Sequence, residues 1–123
     1  MMQPDEAVKR FGLKESTINK IIAVFAKYTQ IDKILLYGSR AKGNYRNGSD
    51  IDLTLIGDQL NYSQLSGIES DIDDLFLPYS FDISIFKDID NPDLVEHINR
   101  VGVVLYEKDS LSAFQRVEHL RNL

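Results

Sequence analysis

The 123 residues predict an α+β domain, a small mixed β-sheet of about four strands with helices packed against it. Three observations carry this. Short apolar, β-branched runs bounded by turn formers alternate with stretches whose apolar residues recur at helical spacing. A chain of this length buries about two thirds of its unfolded surface around one core, so residues 1–123 are expected to form a single domain. Apolar residues make up 43% of the chain, enough for that core, and no repeat, linker or low-complexity tract divides it.

Ile18, Ile21, Ile22, Phe25 and Ala26 recur at i, i+3, i+4, i+7 and i+8. That spacing predicts a helix over 16–28, with Ser16 or Thr17 accepting from its first free amides. Ile34 to Tyr37 is too short for a buried helix and ends at Gly38, which makes it a buried strand. The turn formers Gly-Asn-Tyr-Arg-Asn-Gly-Ser at 43–49 lead into a second strand from Ile51 to Ile56, closed by Gly57. Leu65, Ile68, Ile72 and Leu75 mark a second helix behind a cap at Ser63, weakened slightly by Gly67 and stopped by Pro78. Phe81, Ile83 and Ile85 alternate with Asp82, Ser84 and Phe86 as a third strand whose polar face carries Asp82. Asn91-Pro92 opens a helix to about Val101, Gly102 stops it, and Val103 to Tyr106 adds a fourth strand. Leu111, Phe114, Val117 and Leu120 form an apolar stripe at intervals of three that needs a surface to cover, either a second copy in a homodimer or a docked partner.

Composition narrows the chemistry. With 14 basic against 19 acidic residues the net charge is −5, which argues against direct nucleic-acid binding through the phosphate backbone. No apolar run approaches the ~20 residues of a bilayer span, and the opening Met-Met-Gln-Pro-Asp-Glu lacks the layout of a secretion signal, so no membrane association and a cytoplasmic location are expected. Zero cysteines and two histidines leave carboxylates as the main ligands for any metal.

The informative stretch runs from Leu36 to Leu53. A strand ends at Gly38, and the amides of a helix start at Ser39-Arg40-Ala41 point toward any anion. Asp50 and Asp52 follow at strand spacing, so both carboxylates share one face while Ile51, Leu53 and Leu55 take the other. If the third strand pairs beside the second, Asp82 joins that face and three carboxylates converge. Such a group suits two Mg²⁺ ions about 3.5–4 Å apart in phosphoryl transfer. Arg40, Lys42 and Arg46 stand in the same connection as candidates to meet a triphosphate. Asp71 and Asp73 fall on a predicted helix, where a spacing of two separates them onto a solvated face, and Asp88 and Asp90 read as turn and helix-start residues. Gly38 and Gly43 have Walker A spacing, but Asn44-Tyr45 replaces the Lys-Ser/Thr. His97 and His119 read as surface or packing residues.

Gly38-Ser39, ten intervening residues and Asp50-x-Asp52 resemble the signature of the polymerase-β-type nucleotidyltransferase superfamily, in particular its minimal nucleotidyltransferase branch. The resemblance spans most of the chain and rests on Tyr-Gly-Ser-Arg-Ala-Lys-Gly and Ser-Asp-Ile-Asp-Leu. It implies a polymerase-β-like fold, contact of Gly38 and Ser39 with the triphosphate of ATP as substrate, two Mg²⁺ ions on Asp50 and Asp52, and Asp82 as the third acid. It further implies a HEPN-type RNase toxin as protein partner, neutralised by transfer of AMP onto a toxin tyrosine. Two other readings stay open: a non-catalytic module that neutralises its partner by covering it, and the catalytic half of a split transferase acting on a small molecule.

Overall fold

Along Ile51–Ile56 and Phe81–Ile85 apolar residues alternate with polar ones, and this alternation decides which side of the main sheet becomes core. The computed structural model describes residues 9–108, so the stripe from Leu111 to Leu120 and His119 lie outside the described residues. A short antiparallel hairpin, β1 (Lys9–Arg10) and β2 (Leu13–Lys14), leads directly into helix α1 (Glu15–Phe25). Strand β3 (Lys33–Tyr37), the short helix α2 (Gly38–Lys42) and strand β4 (Ile51–Ile56) follow. Helix α3 (Tyr62–Asp73) precedes β5 (Phe81–Ile85), a 3₁₀ turn at Phe86–Asp88, helix α4 (Pro92–Val101) and β6 (Val103–Glu107).

The four-stranded sheet has the order β5-β4-β3-β6. Strand β3 pairs antiparallel with both β4 and β6, whereas β4 and β5 run parallel. This is the mixed α+β sheet that the strand spacing predicts. Ile34 and Leu36, Ile51, Leu53 and Leu55, and Ile83 and Ile85 form one buried face with Ile18, Ile21 and Phe25 of α1 and Ile68 and Ile72 of α3. A bulge in β6 opposite Ile34 and Leu35 lets the neighbours Leu105 and Tyr106 both reach that core, which strict alternation would forbid. The opposite face carries Tyr37, Asp52, Thr54, Asp82 and Ser84. Among the described residues no helix is long and apolar enough to cross a membrane.

Several local expectations shift. Ser16 and Thr17 lie inside α1, whose cap position is Lys14 with no side-chain capping bond, because the hairpin feeds straight into the helix. The cap of α3 is Asn61 instead of Ser63: its side chain accepts from the Gln64 N–H at 3.1 Å, and the Gln64 side chain accepts from the Asn61 N–H at 2.9 Å. Asp71 is drawn out of the predicted solvated face. Its carboxylate accepts from the Tyr28 hydroxyl at 2.5 Å and lies 3.6 Å from the Lys27 ammonium, tying the turn after α1 to α3. That hydrogen bond is the main cause that pushes the Tyr28 hydroxyl up to about 12, with burial and the Asp71 charge adding to it. Gly67 faces the same hydroxyl, which accounts for a helix-weakening residue at that turn.

Leu53 is fully buried at the centre of the sheet. Leu53→Ala is expected to lower the free energy of unfolding by about 2–5 kcal/mol in urea denaturation. A loss within experimental error would contradict its central place in the core.

Candidate active site

At the end of β3 the chain turns sharply into α2 through Gly38, whose φ of +74° is strained for any side chain. A Cβ at this position would collide with the Asp52 carboxylate, so only glycine lets the turn lie against that acid. Ser39 is half-buried as the second residue of α2. The helix closes at Gly43, φ +90°, whose N–H donates to the Ser39 carbonyl at 2.9 Å. The loop after it is turned by the Arg46 N–H donating to Ser49 Oγ at 2.8 Å and the Ser49 N–H donating to the Arg46 carbonyl at 3.0 Å. It delivers Asp50 to the mouth of β4.

The sheet register does what the spacing predicts for two of the acids. Asp52 pairs directly with Asp82 across the parallel β4–β5 ladder, and Tyr37 pairs with Asp52 across the antiparallel β3–β4 ladder. Ile51, Leu53 and Leu55 are buried on the far side. Asp50 is placed less firmly: it precedes the first residue of β4 and is exposed, so the loop rather than the ladder sets its position. The expected convergence of all three is therefore incomplete, and among the described residues no three His, Cys, Asp or Glu side chains close into a group that could hold a metal ion by themselves. The charges still act on one another. Burial, then the Asp82 charge and then the Asp50 charge push the Asp52 carboxyl above its ordinary value, while His97, when charged, and Arg40 pull it down. Burial first and Asp82 next likewise push the Tyr37 hydroxyl up, a hydrogen bond with Ser84 opposes them, and Asp52 adds to the rise. Hard oxygen ligands with mutual repulsion fit a divalent cation such as Mg²⁺, which takes a few carboxylates and completes its shell with water or phosphate oxygens.

The basic residues part company. Lys42 and Arg46 are exposed on the connection. Arg40 is 2% exposed, and the structure corrects its assignment as a triphosphate ligand. Its Nη1 donates to the Phe11 carbonyl at 2.9 Å, while Nε and Nη2 donate to the Ser49 carbonyl at 3.2 and 3.0 Å. The guanidinium lies over the rings of Tyr45 and Tyr79, 5.4 and 5.1 Å from their centroids. A buried cation committed in this way braces the N-terminal hairpin against the loop that carries Asp50.

His97, expected to be a surface or packing residue, belongs to the site. From α4 it accepts a hydrogen bond from the Gly38 N–H to Nε2 at 3.3 Å, with its ring edge-on to Tyr37 at 6.1 Å and 80°. No sequence neighbour signals this, because the contact joins residues 59 positions apart.

A family model described as "Polymerase beta, Nucleotidyltransferase" matches residues 19–111. The chain belongs to this nucleotidyltransferase family. The match takes in β3, the Gly38-Ser39 turn, Asp50, Asp52 and Asp82 together. A curated relative, "Putative protein adenylyltransferase MJ0604" from Methanocaldococcus jannaschii, is 38% identical over 58 residues, which are 46% of this chain and 49% of that protein. The chain thus spans about half the length of that relative. Among solved structures, a toxin-antitoxin complex with AMP-PNP superposes with a TM-score of 0.61 at 18% identity, over 85% of this chain and 92% of the other. A tri-AMPylated Shewanella oneidensis HEPN toxin in complex with an MNT antitoxin gives 0.57 at 16%, over 88% and 92%. At these identities the superpositions establish a shared nucleotidyltransferase fold.

Two outcomes check the site. The folded protein holds the Asp52 proton more tightly than the unfolded chain, so the destabilisation is absent below the ordinary carboxylate range and sets in as pH rises through the raised value. Asp52→Asn is expected to raise the melting temperature by a few degrees at about pH 7 without divalent cations, and the gain should vanish toward about pH 3. A gain that persists in acid would show that charge is not its source. Arg40→Lys cannot span two carbonyls and is expected to cost about 1–3 kcal/mol in urea denaturation, whereas a neutral result would return Arg40 to the ligand candidates.

Proposed function

We propose that this chain is a magnesium-dependent nucleotidyltransferase that moves AMP from ATP onto a hydroxyl, a tyrosine of a cognate HEPN-type toxin, and so acts as a cytoplasmic antitoxin. The observation that carries this reading is the direct pairing of Asp52 with Asp82 beside the Gly38-Ser39 turn. Asp50, Asp52 and Asp82 hold the metal ions, Gly38 and Ser39 receive the triphosphate, and Lys42 and Arg46 approach its outer phosphates. Bound there, magnesium supplies charge neutralisation between carboxylates and phosphates.

The chain's own residues divide the remaining work. Asp52, half-buried in the central strand, is the fixed point of the site. Asp82 is exposed on the edge strand β5, where an incoming hydroxyl has access to it. The hydroxyl proton passes to the Asp82 carboxylate as the oxygen attacks the α-phosphorus; the bond from that phosphorus to the bridging oxygen breaks, and pyrophosphate leaves. Positioning and electrostatics supply most of the acceleration in such transfers. The names of the relatives support the acceptor: an adenylyltransferase of proteins, and a solved HEPN toxin that carries AMP groups beside its MNT antitoxin. A net charge of −5 favours encounter with a basic partner.

With α-labelled ATP, Mg²⁺ and the partner, wild type is expected to move label onto the partner, whose intact mass rises by whole AMP units. Asp50→Asn, Asp52→Asn and Asp82→Asn, each folded by melting temperature, should lose at least about 100-fold in rate. Undiminished transfer by the three variants overturns the assignment, and full toxin neutralisation by Asp52→Asn would make covering the function.

A further inference from the structure

Helix α4 carries no motif, yet it reaches the most constrained point of the site. The Gly38 N–H is among the first amides of α2, which have no partner within the helix. It is met from α4 by His97 Nε2 at 3.3 Å. We propose that His97 is a positioning residue: its neutral imidazole accepts the Gly38 N–H and holds the Gly38-Ser39 turn against Asp52 in the orientation that receives a nucleoside triphosphate. The inference rests on the reading above for its ligand, though not for the contact itself.

Three features give the contact this role. An N–H can be accepted only by an unprotonated ring nitrogen, so the His97 proton sits on Nδ1 and the acceptor lone pair points at the turn. The ring is partly buried and stands edge-on to buried Tyr37, and its neighbour on α4, Ile98, is 1% exposed. Gly38 is gripped from two directions, with the Asp52 carboxylate filling the space where a Cβ would be and His97 taking the amide. Rotating the Tyr37–Gly38 peptide breaks the second contact and drives the turn away from the first.

The test compares His97→Ala with His97→Gln in the full chain, because Gln Oε1 supplies an acceptor where alanine supplies none. The readouts are the ¹⁵N–¹H resonance of the Gly38 amide, calorimetric binding of AMP-PNP with Mg²⁺, and kcat and KM for ATP. His97→Ala is expected to move the Gly38 resonance and to weaken nucleotide binding about 3- to 10-fold, the effect of one hydrogen bond, mainly in KM. His97→Gln should return both toward wild type, within about twofold. An unmoved Gly38 resonance in His97→Ala overturns the proposal whatever the activity, and so do equal losses in both variants, which would mark His97 as packing alone. Should wild type transfer no nucleotide, the resonance and the binding titration still decide this inference while the proposed reaction falls.

Discussion

Holding two carboxylates side by side on neighbouring strands is the constraint on which the rest of this site depends. Adjacent strands lie about 4.8 Å apart, and the parallel register gives Asp52 and Asp82 no backbone freedom to separate. At the effective dielectric of a protein surface, two unit charges about 5 Å apart repel by about 3 kcal/mol. What resists a slip is the other side of the same strands. Ile51, Leu53, Leu55, Ile83 and Ile85 are buried there, and a one-residue slip of β4 would expose its three and bury Asp52. At about 1.5–3 kcal/mol for each buried side chain, burial of the three in β4 outweighs the repulsion. The hydrophobic face thus imposes the electrostatic one.

The turn beside these acids is fixed by a different kind of force. Steric contact with Asp52 makes Gly38 obligatory, and a hydrogen bond from α4 meets its amide. Arg40, two residues on, faces inward to the carbonyls of Phe11 and Ser49. Its direct contacts are carbonyl dipoles and two aromatic faces instead of a carboxylate, so the loop stays anchored without drawing an acid of the site into an ion pair. Gly12 serves the same anchor from the hairpin, where a Cβ would strike the Tyr45 ring.

Most of the sheet was legible because strand alternation is a local signal. Ile51 to Ile56 and Phe81 to Ile85 announce both faces, and Asp82 follows from parity once the strands pair. Asn91-Pro92 and Gly102 likewise bound α4 where expected. Two of the misses share one cause, interactions across long sequence separations. His97 meets Gly38 59 positions away, and Asp71 meets Tyr28 43 positions away. Arg40 looked like a phosphate ligand because its burial depends on Phe11, Tyr45 and Tyr79, which the chain order keeps apart. The hairpin of β1 and β2 has strands of two residues each, too short for any periodicity to register. The cap at Asn61 is a local signal too, since Asn and Gln three apart form a capping box, although Ser63 lies nearer the first apolar residue of the helical spacing.

The three acids differ in how firmly the backbone holds them, and that gradation suits the proposed reaction. Asp52 is locked by ladders on both sides and pressed by Gly38, so it cannot relax and bears the raised proton affinity. Asp82 has a ladder on one side only and opens to solvent, which leaves it room to meet an acceptor that arrives on another molecule. Asp50 hangs on a loop closed by Ser49 and Arg46, and can adjust as phosphate oxygens enter. A site with all three acids rigid would fit one geometry along the reaction and resist the others. In the proposed reaction, one fixed point and two graded ones would define where phosphorus sits while allowing the oxygens around it to move by the fraction of an ångström that in-line displacement requires.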